Sequence, residues 1–316
     1  MHLENEVSAG GASLTTLYQL NTIFISMVME AIPFVLVGVL ISGLIQTFVK
    51  EGWLTRIMPR NRYLATVFGC GIGIFFPSCE CGIVPITRRL INKGMPLHAG
   101  IAFMLTGPII NPIVLFSTYI AFGNDWEMVG VRAGLAIAVA FSVSIILSFM
   151  FKQLPFRIQD EQAAAAMEPG LEIPAASRVS SGKKLYEVVV HAIEEFFSVG
   201  KYLVLGAFIA ACMQTFVPTS YLLHLGSNPV TSSLVMIALA FLISLCSEAD
   251  AFIAASFRST FTVGSLSAFL VFGPMIDIKN TLMLLGTYRS KFVVVLIVLV
   301  TLFTLVGSLL VGRFFG

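Results

Sequence analysis

Pro77-Ser78-Cys79-Glu80-Cys81-Gly82 interrupts an apolar stretch, and its reading decides the fold. A predominantly apolar run from Leu64 to Phe76 precedes it. Gly82-Ile83-Val84-Pro85-Ile86 follows, before the charges Arg88, Arg89 and Lys93. In a segment this apolar, one carboxylate and two thiols fall near the middle of a bilayer. A charge at that depth costs ~2.5–3.5 kcal/mol on insertion scales, so an ionisable residue kept there is a candidate for function. Pro77, Gly82 and Pro85 interrupt helical hydrogen bonding, which only protein or a water-lined cavity can then satisfy. The stretch predicts a broken helix with soft and anionic donors at mid-membrane.

The rest of the chain agrees with a membrane setting. Of 316 residues, 57% are hydrophobic and 11% charged, with a mean hydropathy of +0.92. That balance excludes a soluble enzyme and indicates an all-α, polytopic membrane protein in contact with the lipid bilayer. The net charge of +2 comes without a basic run, so no nucleic-acid partner is expected. No Gly-x-x-x-x-Gly-Lys-Ser/Thr loop is present, so ATP hydrolysis on this chain is excluded and no cofactor is expected. The segment Met1 to Ala12 has no Lys or Arg, and the first helix reads as an uncleaved anchor. Five cysteines (Cys70, Cys79, Cys81, Cys212 and Cys246) lie in apolar stretches, unlike a secreted disulfide framework. Cys70 and Cys212 read as packing residues.

About 20 apolar residues cross a hydrocarbon core. Eight runs qualify: 22–49, 64–90, 97–122, 129–151, 190–217, 230–257, 264–287 and 292–312. The second is broken at the opening motif, the third at Thr106 to Pro112, and the seventh at Gly273-Pro274. These runs predict an N-terminal repeat of four transmembrane helices over 1–151, a flexible cytoplasmic linker over 152–185, and a C-terminal repeat of four over 186–316. Internal similarity supports the duplication. Gln46-Thr47-Phe48-Val49 recurs as Gln214-Thr215-Phe216-Val217, and Gly38 and Ile41 recur as Gly206 and Ile209, all at an offset of 168. Cys79 matches Cys246 at 167. Ala102-Phe103 and Gly107-Pro108 match Ala268-Phe269 and Gly273-Pro274 at 166. Interrupted hydrophobic segments at corresponding positions point to a transporter site. Four spans per repeat would set the halves parallel, with the Arg88/Arg89 and Arg258 loops on one face. Counting Lys and Arg on that scheme gives ten cytoplasmic against seven outside, Arg132 among the seven, so both termini are expected in the cytoplasm.

The candidate substrate-binding residues are Cys79, Glu80, Cys81, Cys246, Glu248, Asp250, Asn111 and Asp277. Two thiols with a further soft or carboxylate donor suit a thiophilic species such as trivalent arsenic, Cu(I) or Zn(II), and make Cys79, Cys81 and Cys246 candidate metal ligands. Residues i and i+2 of an intact helix diverge, so Cys79 and Cys81 reach one ligand only if the segment unwinds. The competing reading makes them small residues at a tight crossing, which leaves Glu80 unexplained. Any of Glu80, Glu248 and Asp250 is a candidate proton carrier, the alternative being that Glu248 or Asp250 pairs structurally with Arg258, Arg88 or Arg89. Gly107-Pro108 and Gly273-Pro274 are expected to break their helices and expose half-helix N-termini. Asn111 and Asp277 would line those gaps, with Lys279 a candidate neutraliser of Asp277. Glu30 either lies at the interface or faces the cavity.

These residues resemble a family of predicted bacterial permeases that includes the organoarsenical efflux permeases (ArsP) and YraQ-type proteins. The resemblance is carried by Pro77 to Pro85, Arg88-Arg89-Leu90, Lys93-Gly94, Ala102-Phe103, Gly107 to Pro112, Ser247 to Phe252 and Phe272 to Asp277. It implies an eight-helix permease of the bacterial inner membrane whose cysteine motif handles thiol-reactive substrates in the arsenical branch. The expected function is efflux of a thiophilic metal, metalloid or organoarsenical-like small molecule. Two alternatives stand beside it: a metal-cation channel or importer using the carboxylates, and a membrane thiol-disulfide oxidoreductase.

Overall fold

A computed structural model describes residues 2–49, 53–59, 61–76, 79–151, 156, 181–216 and 228–315. The helix-break residue Pro77 and nearly all of the expected linker 152–185 lie outside them. The helices are α1 (His2–Phe48), α2 (Trp53–Ile57), α3 (Arg62–Ile72), α4 (Glu80–Asn92), α5 (Leu97–Ile110), α6 (Pro112–Ala121) and α7 (Trp126–Met150). After the linker come α8 (Ser181–Phe216), α9 (Pro229–Ile243), α10 (Ser247–Ser256), α11 (Val263–Met275), α12 (Ile278–Thr287) and α13 (Ser290–Phe315). Among the described residues six apolar stretches are long enough to cross a membrane: Thr15–Phe48, Leu97–Ala121, Trp126–Met150, Val188–Phe216, Val263–Thr287 and Ser290–Phe315.

The other two expected spans are folded back on themselves. The 11 residues of α3 reach about 17 Å and the 15 of α9 about 22 Å at 1.5 Å per residue, less than the ~30 Å hydrocarbon core. Gly69 of α3 and Gly73, the residue that follows α3, abut Ala99 and Gly107 of α5, so the two helices run the same way. α4 meets α5 in reverse, Ile91 against Gly100 and Ile83 against Gly107. The chain therefore turns back between Phe76 and Cys79, making α3 and α4 a re-entrant hairpin. The second half repeats this. Ala240 of α9 and Asp250 of α10 both abut Gly273 of α11, while Ser233 lies by Gly264 and Ser265 at the start of α11. Among the described residues, six helical stretches are long enough to span and two folded-back pairs stand where the other two spans were expected, so the count of eight is not confirmed.

Three spans per half also reverse the expected orientation of the halves. α1 ends, α4 ends, α5 begins and α7 ends on one face, here the linker face. Val188 against Gly43, and the Glu195 contacts to Ser42 and Arg89, fix that side. Phe156 also lies there, stacked on Tyr288 at 5.4 Å and accepting from Arg289 Nε at 3.0 Å. On the opposite, terminal face, Arg258 donates to the Phe122 carbonyl at 3.0 Å and pairs with Asp125 at 3.8 Å, and Gly264 abuts Gly312. Arg89 and Arg258 are thus on opposite faces. Among the described residues the element order α1, α3–α4, α5–α6, α7 is followed by the similar order α8, α9–α10, α11–α12, α13, running the opposite way between the two faces.

The breaks fall three residues beyond Gly107-Pro108 and Gly273-Pro274, which lie inside α5 and α11. The residue before a proline is driven out of the α region, and Asn111 before Pro112 adopts φ −58°, ψ 133°. Asp277 takes an extended backbone in the equivalent place. The glycines provide space: a Cβ on Gly107 would meet Ile83, and one on Gly273 would meet Asp250 Oδ2. Gly82 and Pro85 likewise lie within α4 and do not break it. Pro85 removes the amide that Cys81 would use as its i+4 donor.

Candidate functional site

Four helix N-termini converge where the hairpin tips meet the helix breaks. Cys79 caps α4, Asn111 caps α6, Cys246 caps α10 and Asp277 caps α12. Asn111 Oδ1 accepts from Ile113 N at 2.9 Å and Asp277 Oδ1 from Asn280 N at 2.6 Å. Each end carries a partial positive charge. This accounts for the carboxylates: Glu80 opens α4, Glu248 and Asp250 lie in the first turn of α10, and Asp277 is itself a cap.

Two buried bases complete the charge pattern. Lys279, 3% exposed, sits 3.9 Å from Glu80 and 3.9 Å from Asp277. Ser244, in the left-handed turn that ends α9, donates to Asp277 Oδ2 at 2.7 Å. Lys279 thus bridges the first hairpin tip to the second broken helix. On the other side, Arg132 of α7 is fully buried, donating to Thr118 Oγ1 at 2.6 Å and to the Ser247 carbonyl at 2.9 Å. It also interacts electrostatically with Asp250 and Glu248. The eight-span scheme puts Arg132 outside, in a loop. Its place within the apolar run 129–151 was the available signal, since a charge there needs buried partners. Arg258 and Arg89 are engaged with Asp125 and Glu195.

Met27, Glu30, Ala31, Phe34, Cys79, Glu80, Cys81, Cys246 and Lys279 line one cavity of about 10 Å³, the room of a single water. Cys79 has φ −75°, ψ 174°, off the helical path. Its thiol contacts that of Cys81, as an unwound tip requires. Cys246 faces Glu30. Asn111, Glu248, Asp250 and Asp277 do not line this cavity. Asp250 Oδ2, Glu80 Oε2, Ser247 Oγ and Arg132 Nε are buried without hydrogen-bond partners. Among the described residues no three of His, Cys, Asp or Glu are arranged to hold a metal ion, so Cys79, Cys81 and Cys246 do not form a ready-made cage.

A family model described as a predicted permease matches residues 16–313. The UPF0718 protein YcgR of Bacillus subtilis is 59% identical over 293 residues, covering 93% of this chain and 97% of that protein. A protein of Streptococcus mutans named as a putative two-component membrane permease complex subunit is 41% identical over 298 residues, covering 94% and 96%. The UPF0718 protein YraQ of Escherichia coli is 22% identical over 139 residues, covering 44% of this chain and 37% of that protein. No solved structure matches the chain.

Proposed function

The chain belongs to the ArsP_1 family of predicted permeases, transporters rather than enzymes, and from its hairpin tips we propose that it exports a thiophilic metal, metalloid or organoarsenical-like molecule. The observation that carries the reading is the meeting of three thiols and a thioether, Cys79, Cys81, Cys246 and Met27, around one central cavity. Soft donors favour soft acceptors. A site with no closed ligand cage exchanges its cargo, whereas a closed four-ligand site retains metal structurally. Lys279 counts against a path for hard cations, because an ammonium already occupies the space between Glu80 and Asp277.

Expression in a sensitive host tests this directly. Resistance and lowered intracellular content are expected for methylarsenite, arsenite or a soft metal, and lost in Cys79→Ser and Cys81→Ser with the protein still in the membrane. Transport surviving replacement of both cysteines would overturn the thiol mechanism and favour a harder ion handled by carboxylates.

We also propose that the linker face is cytoplasmic, with both termini outside, the reverse of the orientation drawn from eight spans. Arg56, Arg62, Arg88, Arg89, Lys93, Arg289 and Lys291 lie toward the linker face, against Arg258 and Arg313 on the terminal face. The positive-inside rule then favours the linker side as cytoplasmic. An alkaline phosphatase fused after residue 316 should be active, and an inactive phosphatase beside a fluorescent cytoplasmic reporter would reverse the assignment.

A further inference from the structure

The repeat offsets of 166 to 168 exchange α1 with α8, α4 with α10, and α6 with α12. Most of the molecule obeys the exchange. α3 on α5 is matched by α9 on α11, α5 on α7 by α11 on α13, and α4 on α12 by α10 on α6. The α1–α8 pair does not. α1 lies along α4 and α8 along α12, and no comparable packing of α8 on α10 or α1 on α6 is formed among the described residues. The pair therefore covers the linker-face half of the central layer and leaves the terminal-face half bare.

Residues that seat the pair have counterparts on the bare side. A Cβ on Gly38 of α1 would come 2.7 Å from the Gly82 backbone, and one on Gly206 of α8 would come 2.9 Å from Lys279 Cα. The offsets turn these crossings into Gly206 on Ala249 and Gly38 on Ile113, so Gly206 would again meet a small residue of a hairpin arm, and α1 would take the broken helix α6 as α8 now takes α12. Tyr202 of α8 packs on Gly286, and its counterpart contact joins Phe34 to Ile120, two exposed apolar side chains. The polar contact of Glu195 with Ser42 and Arg89 has no charged counterpart, since the exchanged residues are Met27, Ala210 and Ser256.

We propose that the α6–α10 face is a second seat for the α1–α8 pair, taken in a conformation that closes the terminal face and opens the linker face. The inference rests on the permease reading for its purpose, because a carrier must expose one site alternately to two sides. Its geometry rests on the duplicated contacts alone. The arrangement described here is the linker-sealed state, held by Glu195 and Arg89.

Paired cysteines in a background lacking the native ones provide the test, in membranes, with a short bismaleimide. Tyr202→Cys with Gly286→Cys reports the first seat and Phe34→Cys with Ile120→Cys the second. Both pairs should cross-link, each beyond its single-cysteine controls, and Arg89→Ala should raise the second severalfold. A first pair that links while the second never does, even with Arg89→Ala, would overturn the proposal. Should the paired variants fail to fold, benzoylphenylalanine at Phe116 in the otherwise native chain gives the same answer. Photolysis should join α6 to α1 or α8, and adducts to lipid alone would sink the second seat. Cross-linking at both seats, with no transport of a thiophilic substrate by the chain that keeps its native cysteines, would remove the substrate reading and keep the seat. Transport without second-seat cross-linking would remove the seat alone.

Discussion

α12 and α6 are counterparts in the two halves, yet one is enclosed and the other bare. No residue of α12 is exposed, whereas Pro112, Ile113, Phe116 and Ile120 of α6 are. The hairpin arms repeat the contrast: α4 exposes only Asn92 at its end, α10 exposes Phe252 and Ser256. Sequence similarity between halves sets the shape of each unit, and contact with α1 and α8 sets its environment. Equivalent substitutions should therefore have unequal costs.

The largest effect is expected at the buried bases. Lys279→Met strands Glu80 and Asp277, and removing one partner of a buried ion pair costs ~3–5 kcal/mol. A lowered unfolding midpoint in detergent is expected, partly restored by adding Glu80→Gln. Arg132→Met tests the other half, and a midpoint unchanged from the parent would show that Asp250 does not depend on it.

Overpacking comes next. Gly82→Leu forces a side chain against the Phe34 carbonyl, where even a Cβ lies 2.9 Å away, and should cost about 1–3 kcal/mol. Ala249→Leu on the bare side should be tolerated in the same thermal assay. Equal losses at both positions would contradict the unequal covering. The caps are expected to be weaker still. Asn111→Ala removes one acceptor at the start of α6, worth ~0.5–2 kcal/mol. Asp277→Ala should exceed it, because the Ser244 and Lys279 contacts go too. Smallest is Arg258→Ala, whose pairing with Asp125 is exposed and worth ~0.2–1 kcal/mol. Arg89→Ala should cost more, since Glu195 is buried.

That Cys79, Glu80 and Cys81 lie together at a buried helix start was legible, because a carboxylate between two thiols in an apolar stretch has few structural uses. The pairing of interrupted segments between halves was legible from their spacing. The hairpins were not. Windows of about 20 residues sum hydropathy and cannot distinguish one span from two half-length helices folded back at Phe76–Cys79 or Ser244–Cys246. That single ambiguity decides how many long helices are counted and on which face each half begins. The break in the first half falls at the end of the expected stretch Thr106 to Pro112, and the one in the second half falls beyond Gly273-Pro274, because Gly-Pro looks more disruptive than it is near a helix end. Pro108 lies two residues before the end of its helix and Pro112 at the start of the next, so Asn111 yields. Arg132 was overlooked for its nearness to a helix end, although its partners, Thr118 and Ser247, lie on other elements.

A re-entrant tip also changes the order of events during synthesis. Glu80 is made 199 residues before Lys279, its eventual partner, an interval of roughly 10–40 s at 5–20 residues per second. A spanning helix would have to carry that carboxylate across the hydrocarbon unpaired. A hairpin enters and leaves on one side, so its tip can wait near the headgroups with water as its partner. It need sink to mid-depth only when α12 arrives with the ammonium, which makes the last helices of the chain the step that sets the first hairpin in place.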